Sequence, residues 1–383
     1  MELYSATTEF KINGISYPGF PLLVDRSGNL MEQTLPFLIE ILIKEGSATD
    51  GKTWKKYGEI LCDYFGFLEA ANLSWNQPVG MAEISPLAHY RTWCIRHCQN
   101  QQQTINQKIN LISRLYLWAK RQSLIEELPF RYTKTQAPRG KEQFFHHTID
   151  PTKANSRNSL TLDTPKKPIK CLSRNQIETL LKATTNSTHK CAIYLGLTTG
   201  LRAEEIATFP ASYVNESLIS GTPARIELHP SDMAVKFNKP RTINISKQCI
   251  ERLWQYKNST RQKLLARTNK SSPELLINQY GVAFCADGLA APLRRLGQKI
   301  GFHIHPHMLR HTYSVHTYLR LTDLKKQGLY KGDPLLFLME QLGHSSILTT
   351  MRYLEYINQI DDVFSIEYQR EIDTVLSELY NEP

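Results

Sequence analysis

The sequence lacks any apolar run approaching the roughly eighteen residues that could span a bilayer. Its opening, Met1-Glu2-Leu3-Tyr4, lacks the basic-then-apolar pattern of an export signal. A cytoplasmic protein is therefore expected, with no membrane partner. Cysteine is sparse: seven in 383 residues, odd in number and scattered. That argues against a disulfide framework and fits a reducing compartment. Cys94 and Cys98 bracket His97, but no second cysteine pair completes a zinc ligand set, so ordinary helix positions are expected. Internal repeats are also missing. Acidic residues are in deficit, 36 against 46 Lys plus Arg, which leaves a formal charge of +10. A basic balance favours a polyanionic partner without choosing between nucleic acid and an acidic membrane surface.

The length allows two domains and a sizeable core. Residues 1–30 read as an N-terminal extension with a short strand pair, Phe10-Lys11-Ile12 and Pro21-Leu22-Leu23-Val24, and a turn at Arg26-Ser27-Gly28-Asn29. It is either an arm or a cap on the next domain. From 31 to 133 the pattern is helical. Trp54, Tyr57, Leu61, Tyr64, Phe65 and Leu68 form one apolar stripe, with Thr53 or Asp50 as N-cap, and Ile105, Ile109, Ile112, Leu115, Tyr116 and Ala119 form another. Aromatics in these stripes read as core, whereas Lys108, Arg114, Lys120 and Arg121 give a basic face able to follow DNA phosphates. Residues 134–170 lose periodicity and carry eight basic residues against three acidic ones, a linker that is either a solvated tether or a second backbone contact. From 171 to 383 the chain is mostly helical again, starting at Ser173 as N-cap. Near 222–246 it breaks into strands, Ala224–Leu228 and Thr242–Ile245, with Met233–Phe237 before a turn at Asn238-Lys239-Pro240. The fold class is thus mainly α with a small antiparallel β-sheet.

Candidate functional residues gather in this second half. Thr199-Gly200-Leu201-Arg202 is followed by Glu205, and Arg202 taken alone is a surface ion pair worth a few tenths of a kcal/mol. Lys236 lies on a predicted strand just before the turn, and an ammonium there could protonate a leaving alkoxide, with Lys239 and Arg241 as competitors. His303, His305 and His307 alternate, but Pro306 interrupts them and no H-E-x-x-H pattern or nearby carboxylate completes a metal site. His307 and Arg310 instead share one face of a helix starting after Pro306, and His311 reads as packing. Leu342-Gly343-His344 stands nine positions before Tyr353, whose rivals are Tyr356 and Tyr368. Arginines can neutralise a phosphodiester through forked hydrogen bonds, and a tyrosine hydroxyl can attack phosphorus.

In order and spacing, Arg202, Lys236, His307-Met308-Leu309-Arg310, Leu342-Gly343-His344 and Tyr353 resemble the signature of the tyrosine recombinase (phage integrase) family. Val235-Lys236-Phe237-Asn238-Lys239-Pro240-Arg241 resembles the family's lysine hairpin, with Asn238 where glycine is usual. The stripe from Thr53 to Phe65 and the stretch Leu117-Trp118-Ala119 resemble its helical core-binding domain. The resemblance implies a two-domain architecture: a core-binding domain over 31–133, a basic linker over 134–170, and a catalytic integrase-like domain over 171–383 with a C-terminal tail. It implies that Tyr353 attacks a scissile phosphate to form a 3′-phosphotyrosyl bond, followed by strand exchange and religation without ATP, metal or cofactor. Arg202, Lys236, His307, Arg310 and His344 complete the catalytic set, and Glu205 orients Arg202. Double-stranded DNA at specific sites and a synaptic tetramer are the implied partners. The apolar-patterned residues 357–381 favour recombination over a type IB topoisomerase, the alternative with the same chemistry. A DNA-binding protein without cleavage is the third alternative.

Overall fold

The computed structural model describes residues 1–46, 51–77, 83–134, 156–165, 168–216, 218, 224–354 and 356–357. The chain divides into two compact units, Met1–Lys166 and Lys167–Pro383. Helices dominate both, and strands occur among the described residues only in two-stranded sheets, four in number. This is the expected fold class.

In the first unit, β1 (Glu2–Ser5) pairs antiparallel with β4 (Pro21–Val24), while β2 (Lys11–Ile12) and β3 (Ile15–Ser16) make their own hairpin. The sequence pattern instead pairs 10–12 with 21–24. A tight turn at Asn13-Gly14, both with positive φ, closes β2 onto β3 and leaves β4 for the N-terminal strand. The predicted turn after β4 is present, with the Asp25 carboxylate accepting from the amides of Ser27 and Asn29. Phe20 and Leu23 are buried among the helical side chains, so this segment contributes to the unit's core.

Helix α1 (Thr34–Leu38) continues as a π-helical turn, followed by α2 (Gly51–Ala70), α3 (Pro86–Arg96) and α4 (Gln102–Arg121). Thr53 lies inside α2 rather than capping it, and Asp50 lies outside the described residues. The α2 and α4 stripes meet as expected: Leu61, Tyr64, Ile109, Ile112 and Tyr116 are all buried in one cluster. The aromatics carry polar tips that need partners once buried. The Tyr64 and Tyr116 hydroxyls lie 2.5 Å apart, and Tyr116 donates to the Trp75 carbonyl at 2.7 Å. Cys94 is buried in α3 and Cys98 lies exposed beyond its end.

Residues 156–165 fall within the expected linker, yet they pack on the first unit. β6 (Ser156–Asn158) pairs with β5 (Tyr132–Lys134). Asn158 is buried, donating to Ser113 Oγ of α4 at 2.6 Å and accepting from the Leu160 amide at 2.8 Å. Asn106 exchanges hydrogen bonds with both main-chain groups of Leu162. Periodicity misses such a segment because side-chain amides, not an apolar stripe, hold it.

The second unit opens with α5 (Arg174–Ala183), where Ser173 is the N-cap, as expected, and also forms a reciprocal capping box with Gln176. Then come α6 (Ser187–Thr199), α7 (Ala203–Ala207), and the antiparallel ribbon of β7 (Ala224–Leu228) and β8 (Arg241–Ile245). The chain continues through α8 (Lys247–Tyr256), α9 (Gln262–Thr268), α10 (Ala286–Ile300), α11 (Pro306–Lys326) and α12 (Pro334–Leu342), then a helix over residues 347–354, α13. Ile226 and Leu228 on β7 and Ile243 and Ile245 on β8 are buried against Leu195, Ile250 and Leu253. Met233–Phe237 forms no strand. Lys236–Asn238 is a single 3-10 turn, and Asn238 takes the left-handed conformation (φ 51°) that its side chain tolerates. The expected apolar tail lies outside the described residues beyond Ile357. Among the described residues, no helix is long and apolar enough to cross a membrane.

Replacing Asn158 by Ala leaves the Ser113 hydroxyl and the Leu160 amide without their buried partner. A loss of about 1–3 kcal/mol is expected, read as a lower unfolding midpoint of the full chain in denaturant. An unchanged midpoint would mean that these bonds exchange freely with water.

Candidate active site

Three chain reversals bring distant residues together in the second unit. The first is at the end of α6, where Gly200 adopts φ 67° and terminates the helix. A Cβ there would lie 2.4 Å from the Tyr313 ring, so this turn excludes any side chain. Arg202 is the residue entering α7, and its amide donates to Glu205 Oε2 at 2.8 Å. The second reversal ends α12 at Gly343, φ 61°, where a Cβ would meet Arg241 Cδ at 2.9 Å. It delivers His344. The third is the entry to α11, where Pro306 occupies the first turn and His305 Nδ1 accepts from the Met308 amide at 3.2 Å. His305 therefore caps the helix that presents His307 and Arg310.

All six predicted catalytic residues line one pocket of about 270 Å³: Arg202, Lys236, His307, Arg310, His344 and Tyr353. Arg352 and His311 line it too. Arg310 is 1% exposed. It donates to the carbonyls of Gly200 and Leu342, each at 2.7 Å, and to His344 Nε2 at 3.0 Å. Three of its five N–H groups are thus held by described residues, leaving two for a ligand. Burial, reinforced by the neighbouring Arg202, pulls its pKa down to about 10, so it stays charged at neutral pH.

The bond to Arg310 decides the tautomer of His344. Guanidinium cannot accept, so Nε2 must be the acceptor and Nδ1 carries the proton, donating to Thr350 Oγ1 at 2.9 Å. The His344 imidazole is thus committed on both nitrogens. Burial and Arg310 push the pKa of His344 down to about 3 and that of His307 to about 4, so both are neutral.

Glu205 has a wider role than orienting Arg202. It is 1% exposed. It receives Arg202 Nη1 at 3.2 Å and a forked pair from Arg241, Nη1 at 2.9 Å and Nη2 at 2.7 Å. Arg241 Nε also donates to the Gln341 carbonyl at 3.2 Å, tying β8 to the end of α12. Arg241, a competitor for the lysine position in the sequence, is therefore a strut. Burial works to raise the Glu205 pKa, but the Arg241 bonds and charge, and then Arg202, outweigh it and hold it below the ordinary value.

Tyr353 on α13 is 3% exposed and packs with Tyr313, Leu338 and Leu342. Its hydroxyl lies 3.2 Å from His311 Nδ1. His311 is therefore not mere packing. Its spacing of four from His307 places both on one face of α11, and the two rings lie 4.3 Å apart. That spacing is a signal available in the sequence. Of the rival tyrosines, Tyr356 bonds Cys171 Sγ at 3.0 Å, and burial pushes its pKa up to about 12. Tyr368 lies outside the described residues.

Residues 170–359 match the profile of the phage integrase family. The chain is 28% identical to tyrosine recombinase XerC of Bacillus subtilis over 262 residues, 65% of this chain and 69% of that protein. It is 29% identical to tyrosine recombinase XerA of Saccharolobus solfataricus over 202 residues, 52% of this chain and 55% of the relative. Among solved structures, XerH site-specific recombinase bound to palindromic difH substrate superposes with a TM-score of 0.55 at 16% identity, covering 87% of this chain and 89% of that one. The Tn1549 transposon integrase in complex with transposon right end DNA gives 0.55 at 16% identity, covering 88% and 100%. These two likenesses are of fold.

Removing one partner of a buried pair leaves the other charge uncompensated. Arg241→Ala is expected to cost roughly 3 kcal/mol of stability, measured by denaturant unfolding. Because the folded pKa of Glu205 lies below its ordinary 4.5, its pairs stabilise fully above that value and progressively less as pH falls through the folded value. Acid titration of stability should show this loss in the wild type and a shallower slope in Glu205→Gln. Equal slopes would place the acid sensitivity elsewhere.

Proposed function

Because the chain belongs to the phage integrase family of tyrosine recombinases, we propose that it breaks and rejoins double-stranded DNA at specific sites, with Tyr353 as nucleophile. The observation that carries this reading is the convergence of Arg202, Lys236, His307, Arg310, His344 and Tyr353 on one pocket. Glu205 is absorbed by Arg241 and Arg202, so the pocket retains a surplus of fixed positive charge suited to a phosphodiester.

Tyr353 oxygen attacks the scissile phosphorus and forms a 3′-phosphotyrosyl bond as the bond to the 5′-oxygen breaks. Arg310, through its two uncommitted N–H groups, and Arg202 stabilise charge on the nonbridging oxygens. Lys236 protonates the departing 5′-oxygen. A 5′-hydroxyl from a partner duplex then attacks the phosphotyrosyl bond and reseals the strand, conserving phosphodiester energy without ATP. His307 lines the phosphate pocket as a neutral hydrogen-bonding group, and His344 acts by fixing Arg310.

Residues 31–133 serve as the DNA-binding core domain and 171–383 as the catalytic domain. Self-association into a synaptic tetramer would supply the second duplex. The matching relatives and structural neighbours are recombinases and an integrase, which favours exchange over relaxation by rotation.

Tyr353→Phe should abolish covalent attachment to a nicked suicide substrate while leaving DNA binding within about twofold, because only the attacking oxygen is lost. An adduct persisting on a denaturing gel would transfer the role to another tyrosine, Tyr356 first.

Lys236→Ala should cleave ordinary DNA poorly, by roughly 100-fold or more, yet recover on a substrate whose 5′-bridging oxygen is sulfur. A thiolate leaves without a proton. Arg310→Ala should not recover, since it acts on nonbridging oxygens. Sulfur rescue of Lys239→Ala instead would move the general acid to the far side of the turn at Asn238.

A further inference from the structure

The nucleophile needs somewhere to put its proton. A phenol is a weak acid, and the phosphorus–oxygen bond to Tyr353 cannot form unless the hydroxyl proton is lost. Three histidines surround the hydroxyl's pocket. His344 is disqualified by its own bonds: Nε2 accepts from Arg310 and Nδ1 donates to Thr350. His307 lines the same pocket beside Arg310, with no hydrogen bond to the Tyr353 hydroxyl among the described residues. The hydrogen-bond partner of the Tyr353 hydroxyl among the described residues is His311, Nδ1 at 3.2 Å, with ring centroids 5.6 Å apart and the planes inclined at 65°.

The geometry points to His311 as the general base of the cleavage step, a catalytic residue in direct contact with the reacting oxygen, and this rests on Tyr353 being the nucleophile. The balance is simple. The Tyr353 O–H bond breaks, its proton passes to His311 Nδ1, and its electron pair forms the bond to phosphorus. The pair of the broken bond leaves with the 5′-oxygen, which takes its proton from Lys236. On resealing, the incoming 5′-hydroxyl returns a proton to Lys236, and the imidazolium of His311 reprotonates the departing phenolate.

The surroundings make this base conditional on substrate. His311 is neutral and ready to accept, its pKa held down to about 3 by burial, then by His307, His305, Arg310 and Arg352. Apart from burial, these are effects of positive or potentially positive neighbours, Arg352 from α13 and the others from α11 and its entry. A bound phosphodiester places negative charge among those cations and offsets them, raising the basicity of His311 when the phosphorus is in place. Without bound substrate, His311 is therefore a weak base toward the Tyr353 hydroxyl.

The test compares adduct formation on a nicked suicide substrate by wild type and His311→Asn, each with Tyr353 or with a ring-fluorinated tyrosine at that position. Asparagine keeps a hydrogen-bonding group without basicity, and His311→Gln provides a second such variant. Thermal midpoint and DNA binding are measured alongside. At neutral pH the Asn variant should form adduct roughly 100-fold more slowly or worse. The deficit should shrink at least tenfold with the more acidic fluorinated phenol, and shrink again as pH rises toward 10, since an ionised phenol needs no base. Cleavage by both variants at the wild-type rate would overturn the assignment. So would a deficit of the same size with either tyrosine at every pH, which would mean that His311 only positions or packs. Failure of the wild type to form any adduct would instead overturn Tyr353 as nucleophile and, with it, the proposed function.

Discussion

The site depends on a single buried guanidinium. Arg310 is almost fully removed from solvent, and its partners are two main-chain carbonyls and an imidazole rather than a carboxylate. A buried charge without a counter-ion is costly, and here the carbonyl dipoles of Gly200 and Leu342 offset that cost only in part, as the lowered pKa shows. An anion in the pocket would offset the rest. The same three bonds join the end of α6, the end of α12 and the start of α11, so the element that stores positive charge also sets the positions of the neighbouring functional groups.

Glu205 and Arg241 make this arrangement possible. A carboxylate this close to Arg202 and Arg310 would, left unpaired, cancel the positive charge that lines the pocket. Arg241 occupies both carboxylate oxygens through a forked pair, so Glu205 is directed to the strand side and Arg202 retains donors for the pocket. Both reversals that receive these side chains are glycines with positive φ, and at each a Cβ would overlap a packed neighbour, the Tyr313 ring at Gly200 and the Arg241 stem at Gly343. The histidines then divide by geometry: His305 caps a helix, His344 holds Arg310, and His311 faces the Tyr353 hydroxyl.

Much of the fold is legible in the sequence because it rests on local physics. The α2 and α4 stripes, the N-cap at Ser173, the ribbon of β7 and β8 and the left-handed Asn238 arise from periodicity and turn chemistry within short windows. Local patterns fail where pairing is long-range or polar. They do not find β1 as the partner of β4, they put Lys236 on a strand, and they make a linker of 156–165, because buried amide hydrogen bonds leave no hydrophobic period.

The residue types, order and spacing of the candidate site are all present along the chain: two arginines, a lysine, paired histidines and a late tyrosine, each in a recognisable local context. What each of these side chains faces is a property of the packed fold. Packing gives Arg241 to Glu205, commits both nitrogens of His344, ties Tyr356 to Cys171, and sets His311 against the Tyr353 hydroxyl. Spacing along a helix says which residues share a face. Apart from the local bond of His344 to Thr350, the group at the other end of each of these hydrogen bonds comes from an element more than thirty residues away, and its approach is set by packing that no local window contains.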